Sequence, residues 1–200
     1  MPNTAETPRI SAADYLAGEE IAPVKHEYVA GEVFAMAGAG EAHVTVAGNL
    51  FALLRNHVRG GPPCRVYIAD MKVRVEPADA FYYPDLFVTC DPADGRENLF
   101  KRHPAVVVEV LSNSTAAFDR GAKFIHYRQL DSLLEYVLIE PERPSIDLFR
   151  RTAEGAGSCT RSPRAGSLCS PPSTSAAHWP RFTKTWPSAE GRLPRQARFA

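Results

Sequence analysis

The stretch Ala105-Val106-Val107-Val108-Glu109-Val110-Leu111 reads as the most apolar strand of the chain, and it carries a carboxylate in its interior. Its flank sets Glu109 against a core or at a cleft wall. An unpaired buried charge is expensive, so either a cation sits beside Glu109 or that end of the strand opens to solvent.

The surrounding pattern supplies a sheet for this strand to join. Ser11 caps one or two helical turns. Lys25 to Val29 and Glu32 to Met36 read as a hairpin about Ala30-Gly31. From Ala42 to Val58, Val44, Ala47, Leu50, Phe51, Leu54 and Val58 recur at three- and four-residue steps, the mark of an amphipathic helix, which Gly60-Gly61-Pro62-Pro63 stops. Arg65 to Ile68 and Met71 to Val75 read as strands, the second alternating as if one face were wet. A turn around Pro77 to Ala80 leads to a strand from Pro84 to Thr89. Beyond the Glu109 strand, the polar cap Ser112 to Thr115 opens a helix to about Leu130. Strands at Leu134 to Ile139 and Ser145 to Phe149 close the order. The fold class is α/β (α+β), with one mixed central sheet flanked by helices.

Charge divides the chain near residue 150. Residues 1–150 hold 15 Lys or Arg against 21 Asp or Glu, net −6, and residues 151–200 hold 8 against 2, net +6. The last fifty residues have no Val or Ile, six prolines and seven serines. Such a segment cannot bury enough apolar surface to offset its ordering entropy. Three units follow: a flexible lead over 1–10, a domain over 11–151, and a basic Pro/Ser-rich tail over 152–200 that is disordered or out of frame. No membrane span or signal-peptide pattern is visible, and Cys64, Cys90, Cys159 and Cys169 form no C-x-x-C pair. A cytoplasmic protein with buried or free thiols is expected.

Asp85, directly after Pro84 at the mouth of an apolar strand, is the second acidic anomaly. If its strand neighbours that of Glu109, two carboxylates converge, and with phosphate oxygens and waters they make an octahedral Mg²⁺ site. Phosphodiester hydrolysis at a metal also calls for a group that orients water or neutralises developing charge, and Lys123 is the candidate, with Asp119 at i−4 and Tyr127 at i+4. The bland alternatives are carboxylates that cap strand ends and a solvated Asp119–Lys123 pair.

Pro84-Asp85, Val108 to Ser112 with Ser114-Thr115, Asp119 to Lys123 with Tyr127, Glu135-Tyr136 and Ile139-Glu140-Pro141 together resemble the Uma-two family of restriction-endonuclease-like proteins. Glu27, Gly31-Glu32 and His43 also match its pattern, and the likeness runs from Ser11 to Arg150. The resemblance implies the PD-(D/E)XK nuclease fold and Mg²⁺-dependent (or Mn²⁺-dependent) cleavage of DNA. Carried across, Asp85 and Glu109 are metal ligands and catalytic residues. Leu111 stands at the superfamily's lysine position, and Lys123 supplies that ammonium from the following helix. Glu27, Glu32, His43 and Tyr127 are weaker candidates.

DNA is the expected substrate partner, with a homodimer left open. The net charge of −6 argues for weak or highly selective DNA binding, helped by a local basic strip from Lys72, Arg74, Arg120 and Arg128. The alternative function is a catalytically inactive binding module of the same fold, truncated by a frameshift. Shifting His178 to Pro187 by two nucleotides permits Leu-Ala-Ser-Leu-Tyr-Glu-Asp-Val-Ala, similar to the family's C-terminus, which favours a frameshift near Gly155 to Ser158.

Overall fold

A computed structural model describes residues 9–61, 63–143, 145–152 and 157–162. Ser11 caps α1 (Ala12–Ile21), its side chain accepting from the Asp14 N–H, and the helix is longer than the one or two turns expected. β1 (His26–Val29) and β2 (Glu32–Ala35) form the expected hairpin. Its turn needs positive φ at Ala30 (47°) and Gly31 (93°), which only a small residue pair accommodates easily. α2 (Glu41–Val58) follows. β3 (Arg65–Ile68), β4 (Lys72–Val75), β5 (Ala80–Tyr82) and β6 (Leu86–Thr89) come next. β7 (Phe100–Lys101) and β8 (Pro104–Val110) precede a helical stretch of α3 (Ala116–Phe118), a π-helical segment Asp119–Lys123 and α4 (Phe124–Tyr127). β9 (Glu135–Glu140), β10 (Ser145–Arg151) and β11 (Gly157–Ser162) end the described fold.

The α+β class and mixed pairing match the expectation, but the strands divide between two sheets. One has the order β2-β1-β5-β4-β7 and the other β11-β10-β9-β8-β6-β3. A single bent ribbon joins them: β3 pairs antiparallel with β6, and β4 with β5. It bends where Ala69, at φ 52°, donates its N–H to the Asp85 carbonyl at 3.0 Å. A non-glycine residue in the left-handed region is a strained position held by its surroundings. Asp85 thus stands where the chain passes from one sheet to the other.

Alternation sorts the core. Val106, Val108 and Val110 of β8, with Leu86 and Val88 of β6, take Ala47, Leu50 and Leu54 of α2 on one face. Val44, counted in the apolar stripe of α2, remains 58% exposed. The opposite face carries Val107, Leu111 and Phe87 against Val73, Val75 and Tyr82 of the smaller sheet and Tyr127 of α4. Tyr15 of α1 covers that sheet's far side with Tyr28, Phe81 and Phe100. Glu109 shares the parity of Val107 and Leu111, and so lies between the sheets.

Three further expectations are corrected. β4 has no wet face, because Val73 and Val75 pack in the core between the sheets and Lys72 and Arg74 are buried over the rings of Tyr83 and Phe81. The helix expected to reach Leu130 ends at Tyr127, and it contains the π-helical segment. Cys64 and Cys90 are not free thiols but form a disulfide with Cα atoms 4.0 Å apart. They stand one step beyond the Arg65↔Thr89 pair of β3 and β6, a proximity that spacing alone does not reveal. The bond removes the cysteine argument for a cytoplasmic location, since structural disulfides are rare there. Among the described residues, no helix is long and apolar enough to cross a membrane.

The larger sheet also runs past the domain end expected at residue 151: β11 pairs antiparallel with β10, from Arg151↔Gly157 to Ile146↔Ser162. Backbone hydrogen bonding to an open strand edge does not require the apolar side chains that this segment lacks. Residues 163–200, and most of the expected lead, lie outside the described residues.

Candidate functional site

The parallel connection from β8 to β9 passes through the α3–α4 stretch, which folds back over the inward face of the larger sheet and brings Lys123 above Glu109. In a regular helix an i, i+4 pair such as Asp119 and Lys123 shares a face; the π-helical segment that contains both leaves them buried, 2% and 5% exposed. The bland alternative of a solvated pair is therefore overturned. Such segments occur frequently at functional sites.

Three carboxylates surround the Lys123 ammonium. Its Nζ lies 2.8 Å from Glu27 Oε1, 3.4 Å from Glu109 Oε1 and 3.4 Å from Asp119 Oδ1, and 5.4 Å from the centroid of the Tyr82 ring. Asp119 Oδ1 is buried without a hydrogen bond, so its link to Lys123 is one of charge alone. Glu27 Oε1 also accepts the Tyr83 N–H at 3.1 Å. Glu27 comes from the smaller sheet and Glu109 from the larger, and Lys123 ties the two together.

Asp85 completes the cluster on the solvent side. Its Oδ2 accepts the Val110 N–H at 2.7 Å, Oδ1 meets His43 Nε2 at 2.8 Å, and its own N–H reaches Glu109 Oε2 at 3.4 Å. The Asp85 side chain is 23% exposed and that of Glu109 4%. The site therefore opens past Asp85 and His43, at the first turn of α2, and deepens toward Glu109 and Lys123.

The electrostatics follow from that depth. Burial pushes the Glu109 carboxyl well above the usual carboxylate range, with Lys123 opposing and Asp85, Asp119 and Glu27 reinforcing the rise. Burial raises Glu27 as well, against the pull of Lys123. Desolvation works against the charge of Lys123, yet Glu109, Glu27 and Asp119 together hold it above the ordinary lysine range, so it stays an ammonium. The hydrogen bond to Asp85 raises the pKa of His43.

Asp85, Glu109, Lys123, Glu27 and His43 are thus brought together. Tyr127 is fully buried beside them, packed at a tilt between the rings of Tyr82 and Tyr136, and its hydroxyl has no hydrogen-bond partner. Glu32 is not in the cluster: it is exposed on the outer strand β2, opposite Val29. Asp119 and Tyr82 belong to the cluster and were missed as members of it. The Asp119–Lys123 spacing is the available signal, and it is the same for this buried pair as for the solvated pair weighed as the alternative.

The expected basic strip is not formed. Lys72 and Arg74 are buried, Lys72 donating to the Tyr83 hydroxyl and Arg74 bound by Asp79 at 2.7 Å and Glu76 at 3.5 Å. Arg120 and Arg128 are exposed, but Arg120 pairs with Asp147.

Whether this donor set suits a metal can be judged from its chemistry. Four carboxyl groups face one ammonium and one imidazole; burial favours the protonated form of Glu109 and Glu27, and a hard divalent ion would offset the negative charge that their ionisation brings. No group of three His, Cys, Asp or Glu at metal-holding spacing occurs among the described residues, which excludes a closed structural Zn²⁺ site there. Mg²⁺ binds through one or two carboxylates and takes its other ligands from substrate phosphate and water. Asp85 and Glu109 fit that habit.

The family model Uma2, described as "Putative restriction endonuclease", matches residues 12–175. Two Synechocystis proteins are similar: uncharacterized protein slr1290, 38% identical over 152 residues (76% of this chain, 80% of the relative), and uncharacterized protein sll1609, 34% identical over 156 residues (77% and 88%). The crystal structure of "a putative nuclease belonging to DUF820" from Anabaena variabilis superposes with a TM-score of 0.63 at 16% identity, covering 76% of this chain and 83% of that one. At that identity the likeness is one of fold.

Proposed function

The chain belongs to the Uma2 family, and from that premise we propose that it is a metal-dependent endonuclease hydrolysing DNA phosphodiester bonds, with Asp85 and Glu109 holding Mg²⁺ or Mn²⁺ and Lys123 as the cationic catalytic group. The observation that carries the reading is the convergence of Asp85, Glu109 and Lys123 from two strands and a helix, with contacts of 3.4 Å linking Asp85 N to Glu109 and Glu109 to Lys123.

A divalent ion at the two carboxylates would supply Lewis-acid polarisation of the scissile phosphoryl group. The rest of the work falls to side chains. Lys123, held charged by its three carboxylates, is a hydrogen-bond donor and not a base. It orients the attacking water and offsets negative charge developing on the phosphate. Glu27, its nearest partner, fixes the ammonium in place. His43 and the Val110 N–H aim the two oxygens of Asp85. Tyr82 and Tyr127 close the site from behind and keep water from solvating the cluster, which strengthens every charge interaction within it.

Incubation of the purified chain with plasmid and oligonucleotide DNA in Mg²⁺ or Mn²⁺ tests this. Cleavage that EDTA stops and that Glu109→Ala abolishes is expected. Cleavage no greater than that of the Glu109→Ala chain counts against the reading.

A further inference from the structure

Resting on that reading, we propose that two half-exposed aromatic rings flanking the Glu27–Lys123 end of the cluster, Phe34 and Phe118, are stacking platforms for nucleobases, so that the substrate is single-stranded or locally unpaired nucleic acid and not intact duplex.

The register places the first ring. Phe34 of β2 stands directly opposite Glu27 of β1, and directly opposed residues share a face of the ribbon. That face is the inward one, because Val29, two residues beyond Glu27, packs into the core between the sheets. Phe34 therefore lies one strand outward from the carboxylate that grips Lys123, and it is 47% exposed. Met36, two residues on, extends the same apolar surface at 37% exposure. The second ring comes from the helix. Phe118 is 38% exposed, with its centroid 5.9 Å from Lys123 Nζ and 6.1 Å from the ring of Tyr82. One aromatic thus flanks Lys123 directly and the other flanks its closest partner.

Charge favours bases over backbone as what these rings meet. Residues 1–150 carry net −6, and three of their arginines are engaged by carboxylates: Arg74 with Asp79 and Glu76, Arg102 with Glu76, Arg120 with Asp147. Affinity for duplex comes mainly from such phosphate contacts. Stacking on aromatic rings needs no positive surface, but it needs bases out of their helical stack. Depth argues the same way: Glu109 and Lys123 are only 3% and 5% exposed, and a flexible strand can enter a recess that a rigid duplex spans.

Fluorescence anisotropy of a labelled oligonucleotide of about 20 nucleotides, single-stranded and as duplex in EDTA, reads the preference, with circular dichroism to confirm folding of each variant. The single strand is expected to bind more tightly, with Phe34→Ala and Phe118→Ala each weakening it about tenfold, and Phe34→Trp and Phe118→Trp retaining it. Tighter binding of duplex, or unchanged single-strand binding in both alanine variants, overturns the proposal while leaving metal-dependent cleavage as a separate result. A wild-type chain that neither binds nor cuts either form overturns both. Sedimentation velocity supplies the remaining arm: if Phe34→Ala converts a dimer to a monomer without altering binding, the ring is a subunit contact and the proposal fails.

Discussion

Lys123 is the residue on which the interior charge balance turns. Glu27, Glu109 and Asp119 all sit within 3.4 Å of its Nζ, so removing the ammonium leaves three buried carboxylates facing one another. Lys123→Met is expected to cost about 3–5 kcal/mol in urea unfolding, the usual loss when one partner of a buried ion pair is deleted. Glu109 behaves oppositely. Its carboxyl is held above its unfolded value chiefly by burial, so the folded chain keeps a proton that the unfolded chain has lost once the pH passes about 4.3. Stability then falls as the pH rises from there toward the folded-state pKa. Glu109→Gln removes that ionisation, and in EDTA it should melt several degrees above wild type at about pH 8 while the two converge near pH 4. Wild type melting higher at both values would contradict the assignment. Glu109 was legible in the sequence because a carboxylate inside an apolar strand demands a partner, and Asp85 because it follows a proline at a strand mouth. Asp119 was not, since an i, i+4 acid–lysine pair looks the same whether it faces water or a core.

At the scale of elements, strands and helices with strong periodicity were legible and short ones were not. α2 and the strands β3, β6, β8, β9 and β10 follow apolar patterns long enough to read. β5 and β7 have three and two residues, too few to show an alternation, and they form because neighbouring strands offer partners. The π-helical segment is invisible for a related reason: its register is set by packing over Glu109 and not by a local signal. β11 belongs to the same class, a backbone pairing without an apolar pattern. It yields a direct comparison. A chain ending at residue 162 should melt close to the full-length protein, whereas one ending at residue 152 loses six cross-strand pairs, exposes β10, and should melt several degrees lower. Equal melting temperatures for the two truncations would mean that β11 contributes nothing to the sheet.

For the whole molecule, the two sheets explain why so many polar groups can be buried at one place. The bent ribbon carries Asp85 across the junction, β1 presents Glu27 from one side and β8 presents Glu109 from the other, and the helix between β8 and β9 lowers Lys123 between them. Mixed pairing was foreseeable from the order of elements; the division into two sheets was not, because the bend at Ala69 and Asp85 has no sequence signature stronger than Pro84. Global charge sets a further expectation. With net −6 over residues 1–150 and Arg74, Arg102 and Arg120 engaged internally, a chain ending at residue 162 should bind nucleic acid with a shallow salt dependence, a slope of log K against log salt of about −1 to −2. A slope near that of a strongly basic DNA-binding protein would show that phosphates dominate after all. The claim on which the functional account depends is that Asp85 and Glu109 share one divalent ion beneath Lys123. A crystal soaked in Mn²⁺ measures it through the metal's anomalous scattering: a single strong peak touching both carboxylates is predicted, and a peak held by other residues, or none at saturating Mn²⁺, would contradict it.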